Sequence, residues 1–473
     1  MTTPDSASAI ARITRAVADG ETTAVATLDG YLERSLAAQE TLNAFTLLDV
    51  EGARAAAARI DDRRAAGERL GPLAGVPIAV KDLIDQAGLP NTRGGGFPPV
   101  TPAESAPAVT RLEAADAVMI GRTGLHEFAF GFSSENHWSG PVHNPWDSDL
   151  SPGGSSGGSG AAVAAGLVPG ALGTDTGGSV RVPAALCGVV GLKVTHGRIP
   201  LRGVYPLAAS IDTVGPITRC VTDAGLLYRS MAGDDPDDPW SVPIPVETAR
   251  RPAKLSTLRF GVPLPWTAAP MVAEVRHAFD DLCRALAATG AEVVELQIPQ
   301  LVPSGQLLAS VYFEVASVHR NRWHASPEAY GPNVSQRLAD VFTYTADDYL
   351  EALAWRRSCR AAADRALSSV DALITPTVAA LRKPIGQETI EVAGREVSYM
   401  SPLSHFTALV NHIGLPALAL PLNTPNAPPP SLQLIGPAWS EEALLSIGLA
   451  LEEAALAVTQ TPPHFVSAPA ALR

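Results

Sequence analysis

Gly173-Thr-Asp-Thr-Gly-Gly-Ser179-Val-Arg-Val-Pro-Ala184 sets a glycine pair directly before a serine. The same device occurs upstream in Ser151-Pro-Gly-Gly-Ser155-Ser-Gly-Gly-Ser-Gly160, 24 residues before Ser179. That upstream stretch holds five glycines and four serines in ten residues, the composition of a flexible linker. A linker, however, would not run at once into Ala161-Ala-Val-Ala-Ala165, a helix start that calls for burial. A glycine-rich turn feeding a helix instead leaves backbone N–H groups free to meet an anion or oxyanion.

Three known patterns can be tried on these turns. A P-loop needs GK[ST], and no lysine lies between Lys81 and Lys193. The dinucleotide fingerprint fits only in part, because Gly158 and Gly160 are followed by Val163 at the last glycine position. The nucleophile elbow GxSxG is met by Gly153, Ser155 and Gly157. That pattern is weak in so glycine-rich a stretch. It would make Ser155 the nucleophile of a histidine-dependent α/β-hydrolase, with His405 or His412 downstream.

Upstream of both turns, Val76-Pro-Ile-Ala-Val80 is a short apolar run with β-branched residues, read as a buried strand that ends at Lys81. Asp82 then belongs on the opposite side of the strand from Lys81. Further strands are expected at Ala117–Gly121, Leu258–Val262, Glu292–Leu296, Ala372–Ile374 and Ala417–Leu420. Helices are expected at Val272–Thr289 and Glu441–Leu456. At the N-terminus, Ile10, Ile13 and Val17 mark a helix stopped by Gly20; Thr22 or Thr23 caps the next, and Glu51–Gly67 forms a third. Strands alternating with helices predict an α/β fold. Phe128, Phe130 and Phe132 alternate as if on one strand face, with Phe132, nearest the Gly/Ser turn, the best pocket wall. Residues 233–254, rich in Pro and Asp and without period, read as a long connection or a boundary.

Composition narrows the function. The 473 residues are 46% hydrophobic and 18% charged, so the chain is globular. A net charge of −13 argues against a nucleic-acid backbone as partner, and 5% aromatics against a base-stacking platform. The four cysteines show neither CxxC nor zinc spacing, which predicts no metal and a reducing, cytoplasmic setting. The start of the chain lacks the pattern of a secretory signal, and the small-apolar stretch 160–172 is too short and interrupted to span a bilayer, so no membrane partner is expected.

The segments GVPIAVKD (75–82), GRTGLHEFAFG (121–131), NPWD (144–147), SPGGSSGGSGAAVAAG (151–166), GTDTGGSVRVPAALCGVVGLK (173–193) and IDTVGPITR (211–219) together resemble the amidase signature family. The resemblance is dense from about residue 71 to 222. It implies a large mixed β-sheet flanked by helices on both sides, in one domain over 1–473. Within that domain, 1–70 would be a helical layer, 71–222 the signature core and 233–386 a variable region that sets the substrate pocket. It further implies catalysis by Ser179 as nucleophile, Ser155 on a cis peptide as proton relay and Lys81 as base. An ordinary lysine is protonated at pH 7, so the base would need burial to lower its pKa. The amides of Thr176, Gly177, Gly178 and Ser179 would stabilise the oxyanion. Ser156, Asp175 and Arg181 would brace the loops, Asp212 would fix a turn, and Gly131, Phe132, Ser133, Tyr205 and Met400 would line the pocket. The expected substrate is a small carboxylic amide, with a carbamate (urethane) or an ester as alternatives within the same chemistry. No cofactor is expected, and a homodimer fits the family. The competing reading within the family is the glutamine-hydrolysing component of a tRNA-dependent amidotransferase, although no clear counterparts of that component's glutamine-holding charged residues stand out.

Overall fold

The computed structural model describes residues 8–465. Within them, fifteen strands form one large sheet and two hairpins. The large sheet holds β1 (Phe45–Leu48), β2 (Pro77–Lys81), β3 (Val118–Thr123), β6 (Gly170–Asp175), β7 (Val190–Lys193), β8 (Thr213–Thr218), β9 (Arg259–Leu264), β10 (Glu292–Gln297), β11 (Ala372–Pro376), β14 (Ala417–Pro421) and β15 (Ser431–Ile435). The hairpins are β4 (Glu135–Asn136) with β5 (Gly140–Pro141), and β12 (Thr389–Val392) with β13 (Arg395–Ser398). In the large sheet the order is β1-β3-β2-β6-β8-β7-β14-β15-β11-β9-β10. It is mixed: β3, β2 and β6 run parallel, as do β11, β9 and β10, while antiparallel pairings join the two groups. The fold is the helix-flanked mixed sheet that the sequence implied.

The expected strands are all present, each within two residues of its expected bounds. The N-terminal helices fall at Ala9–Ala18, Ala24–Leu42 and Val50–Ala65, and Thr23 caps the second by accepting from Ala26 N–H at 2.9 Å. Central strands β2, β3, β6, β7 and β8 are buried at every position, so they read as unbroken small or apolar runs rather than alternating ones. The connection 233–254 carries no helix or strand. It is tied down by buried Asp235 and Asp238, the latter accepting from Leu201 N–H.

One local expectation fails. Residues 128–132 are not a strand. Glu127–Ala129 is a 3₁₀ turn, and Phe128 and Ala129 stand at φ 52° and 60°. The three phenylalanines accordingly part company. Phe128 joins Phe97, Tyr205, His319 and Tyr330; Phe130 meets Tyr312 edge-on; Phe132 packs in the second apolar cluster with Met400. The period-2 pattern arose from a turn held in left-handed backbone, which alternation cannot signal.

Lys81 ends β2 and Asp175 ends β6, and these neighbouring strands are parallel. Their carboxyl ends open together, where crevices form in α/β sheets. The Gly/Ser turn and helix Gly157–Ala164 lie over this edge, next to helix Arg181–Cys187.

Candidate active site

Lys81 is fully buried at the end of β2. Its Nζ lies 2.7 Å from Ser155 Oγ and 2.8 Å from Thr174 Oγ1. Burial brings its pKa from the usual lysine value down to about 7, against the opposing pull of Asp175 and Asp212. The amine is thus available uncharged near neutral pH. Asp82 is turned away as expected and pairs with Arg122 at 2.7 Å.

Ser155 follows a cis peptide from Gly154. Its carbonyl accepts from His126 N–H at 3.1 Å and from Ser134 Oγ at 3.2 Å, so the turn is held from outside. A side chain at Gly154 would meet the backbone of residues 132–134 at 2.8–2.9 Å, which is why glycine stands there. Ser156 braces the turn against β6: its Oγ donates to Thr174 C=O at 3.2 Å and accepts from Thr174 N–H at 3.3 Å.

Ser179 is 3% exposed, and among the described residues no group of the chain hydrogen-bonds its hydroxyl. Its loop is linked to the turn of Ser155 through the backbone, Ser156 N–H donating to Ser179 C=O at 3.3 Å. The structure therefore joins Lys81 to Ser155 by side chains and Ser155 to Ser179 by adjacent main chain.

Asp175 organises the loop 176–181. Burial alone would raise its pKa, but the Arg181 guanidinium, 2.9 Å away, and Asn411 hold the carboxyl well below the usual range. Its Oδ1 takes Gly178 N–H at 2.8 Å, and its Oδ2 takes Val180 N–H at 3.2 Å. Gly178 thus departs from its expected role, since its amide is engaged by a carboxylate. The amides of Thr176, Gly177 and Ser179 donate to no acceptor among the described residues. Asp212 fixes the turn 207–208 by accepting from both amides and also accepts from Thr176 Oγ1 at 2.5 Å. Burial pushes its pKa up to about 6.

The pocket candidates divide. Phe132 faces the loop of Ser179: a side chain at Gly177 would touch its ring at 3.2 Å and the Ala408 methyl at 3.9 Å. Met400 shares the apolar cluster of Phe132. Gly131 lies against His126, whose ring leaves no room for a Cβ. Ser133 Oγ is 3.4 Å from His126 Nδ1. Tyr205 lies between Arg93 and Arg322 in the aromatic cluster of Phe128.

The histidine-dependent alternative is overturned. The partner of Ser155 Oγ is an amine, no hydrogen bond links His405 or His412 to Ser155 among the described residues, and His412 lies with its ring nitrogens 2.8 Å from Ala408 C=O and 3.2 Å from Leu307 C=O, of which a neutral ring donates to one. Four residues of the site escaped the sequence: Thr174, Thr407, Asn411 and Gln433. Thr174 alone had a signal, since it lies two residues before Thr176 on the strand that flanks Lys81. No group of His, Cys, Asp and Glu suited to a metal occurs among the described residues, and none of their helices is long and apolar enough to cross a membrane.

Known proteins match this chain along most of its length. The Amidase family model matches residues 26–445. A glutamyl-tRNA(Gln) amidotransferase subunit from Streptomyces coelicolor is 36% identical, covering 94% of this chain and 95% of its own. A solved amidase superposes with a TM-score of 0.85 at 37% identity, over 94% of this chain and 99% of its own. A component of a vestigial complex that bears on the origins of an s-triazine catabolic enzyme gives a TM-score of 0.89 at 35% identity, over 95% and 99%.

Proposed function

Since this chain belongs to the amidase family, we propose that it hydrolyses a carboxamide through an acyl-enzyme on Ser179. Ser179 Oγ attacks the carbonyl carbon. Its proton passes to Ser155 Oγ while the Ser155 proton passes to Lys81 Nζ. The oxyanion so formed is met by the free amides of the 176–179 loop. Collapse breaks the C–N bond, and the leaving amine takes the proton returned by Lys81 through Ser155. Water, deprotonated by the same route, then releases the acid and restores Ser179.

One observation carries this reading: a fully buried lysine amine 2.7 Å from a serine hydroxyl, its pKa near 7, beside the loop of a second serine. A structural lysine would be satisfied by carbonyl oxygens, as Lys193 is by Val194 and Leu415 at 2.9 and 2.8 Å. Lys81 faces only hydroxyls. The apolar faces of Phe132 and Ala408 beside Gly177 suit an acyl group with an apolar portion.

The curated relatives favour a narrower reading of the same chemistry. Proteins named as glutamyl-tRNA(Gln) amidotransferase subunits match more than nine-tenths of the chain. On that reading the amide is glutamine, and the ammonia is passed on within an assembly. Ammonia or amine release from glutamine, a primary aliphatic amide, an anilide, a carbamate and an ester separates the two. Turnover of non-glutamine amides by the isolated chain supports the first. Glutamine hydrolysis that depends on a co-purified partner protein supports the second. Ser179→Ala is expected to abolish both turnover and labelling by a fluorophosphonate; retained turnover sinks the shared mechanism.

A further inference from the structure

Gly177 and Gly178 are consecutive, and a peptide between two glycines can take backbone conformations of either hand. Here that peptide is gripped at both ends. Its carbonyl, on Gly177, accepts from Thr407 Oγ1 at 2.7 Å. Its N–H, on Gly178, donates to Asp175 Oδ1 at 2.8 Å. Gly178 stands at φ 131°, and a Cβ there would collide with Thr407 Oγ1, so the hydroxyl is packed directly against the glycine. Thr407 is fully buried between the helical turns Met400–Ser404 and Ala408–His412, 230 residues along the chain from Gly177.

The two grips belong to one network. Arg181 Nη2 donates to Asp175 Oδ1 at 2.9 Å and to Thr407 C=O at 3.1 Å. Asn411 Nδ2 donates to the Asp175 carbonyl and carboxylate, each at 2.8 Å. A half-turn of the 177–178 peptide would aim its carbonyl at a carboxylate and leave the threonine hydroxyl only its longer contact, 3.3 Å, to Ser404 C=O. It would also swing the amides on either side of it.

We propose that Thr407 is a positioning residue for oxyanion stabilisation. It locks the Gly177–Gly178 peptide so that the Gly177 and Ser179 N–H groups face the substrate carbonyl. The inference rests on the reading of Ser179 given above. Because charge on that oxygen develops mainly in the transition state, loss of the lock is felt in kcat more than in KM.

Steady-state kinetics on the best amide substrate test this with Thr407→Val, which keeps the shape and loses the donor, and Thr407→Ser, which keeps the donor. Thr407→Val is expected to lower kcat by about 10²–10³-fold with KM within about threefold. Thr407→Ser should stay within about tenfold of the parent. The midpoint of the pH profile should not move in either. A Thr407→Val kcat within about threefold of the parent overturns the proposal, as does an equal loss in both variants or a shifted midpoint. If Thr407→Val lacks a cooperative melt, Thr407→Ala, which also removes the donor, takes its place under the same criteria. Ser179→Ala is run alongside. Retained turnover there defeats the mechanism itself, whereas a dead Ser179→Ala with an active Thr407→Val defeats only the role of Thr407.

Discussion

On the mechanism proposed above, Lys81 is the residue on which chemistry and stability pull apart. Burying an amine that is charged in the unfolded chain costs the fold on the order of 5 kcal/mol below pH 7, where both states hold the proton. The sign follows from the lowered pKa: between about 7 and the ordinary lysine value the unfolded chain binds the extra proton, so stability rises with pH across that window. Lys81→Met removes this cost and leaves the Ser155 and Thr174 hydroxyls without the amine, a loss of about 1–3 kcal/mol. The variant is expected to melt several degrees higher at pH 7, with the gap closing toward pH 10, while turnover drops by about 10³-fold or more. In the parent, kcat/KM should climb with pH through about 7 as the amine becomes neutral. A Lys81→Met variant with unchanged turnover, or a parental profile that falls across pH 7, contradicts the assignment. Lys81, Ser155 and Ser179 were legible because each closes a short, unusual run of residue types. Thr407, Asn411 and Gln433 were not, because a lone threonine, asparagine or glutamine carries no local pattern. Their importance comes from partners more than 200 residues distant.

Between single residues and the whole chain, the decisive unit is the turn joining β6 to helix Arg181–Cys187. Asp175 ends the strand, Arg181 opens the helix, and their ion pair is fully buried. Removing one charge of such a pair strands the other, typically at about 3–5 kcal/mol. Asp175→Asn is thus expected to cost about that much in denaturant unfolding and to weaken the hydrogen bond that holds the Gly178 amide, lowering kcat as well. A loss under about 1 kcal/mol would show that the pair is not what holds this turn. The elements most easily read were short apolar runs, such as β2 and β14. β6 and β7 were hidden, since glycines interrupt the apolar run in Gly170-Ala-Leu-Gly-Thr-Asp175 and Val190-Gly-Leu-Lys193. Their strand state is imposed by pairing on both sides. The helices Gln306–Ala325 and Ala346–Leu367 also went unread, although Thr345 and Asp348 form a capping box at the start of the second.

Taken whole, the sheet does not divide where the sequence motifs do. The densest resemblance ends near residue 222, yet β7 pairs with β14, whose residues lie beyond 416. Arg181 likewise reaches Gln433 at 2.6 Å and Asn411 at 2.6 Å. A fragment ending at residue 231 would expose one edge of β7 and leave a buried guanidinium short of partners. Such a fragment is expected to lack a cooperative melt and to resist fluorophosphonate labelling; a soluble, labelled fragment would refute this. The fold class was legible from the alternation of strands and helices, whereas this stitching of β14 and β15 into the middle of the sheet was not, because pairing between distant strands leaves no trace in either one alone. The order in which the polypeptide emerges from a ribosome then acquires a meaning. Ser179 is made early, Thr407, Asn411 and Gln433 follow more than 200 residues later, and an unfinished chain carries the serine without the groups that hold its loop.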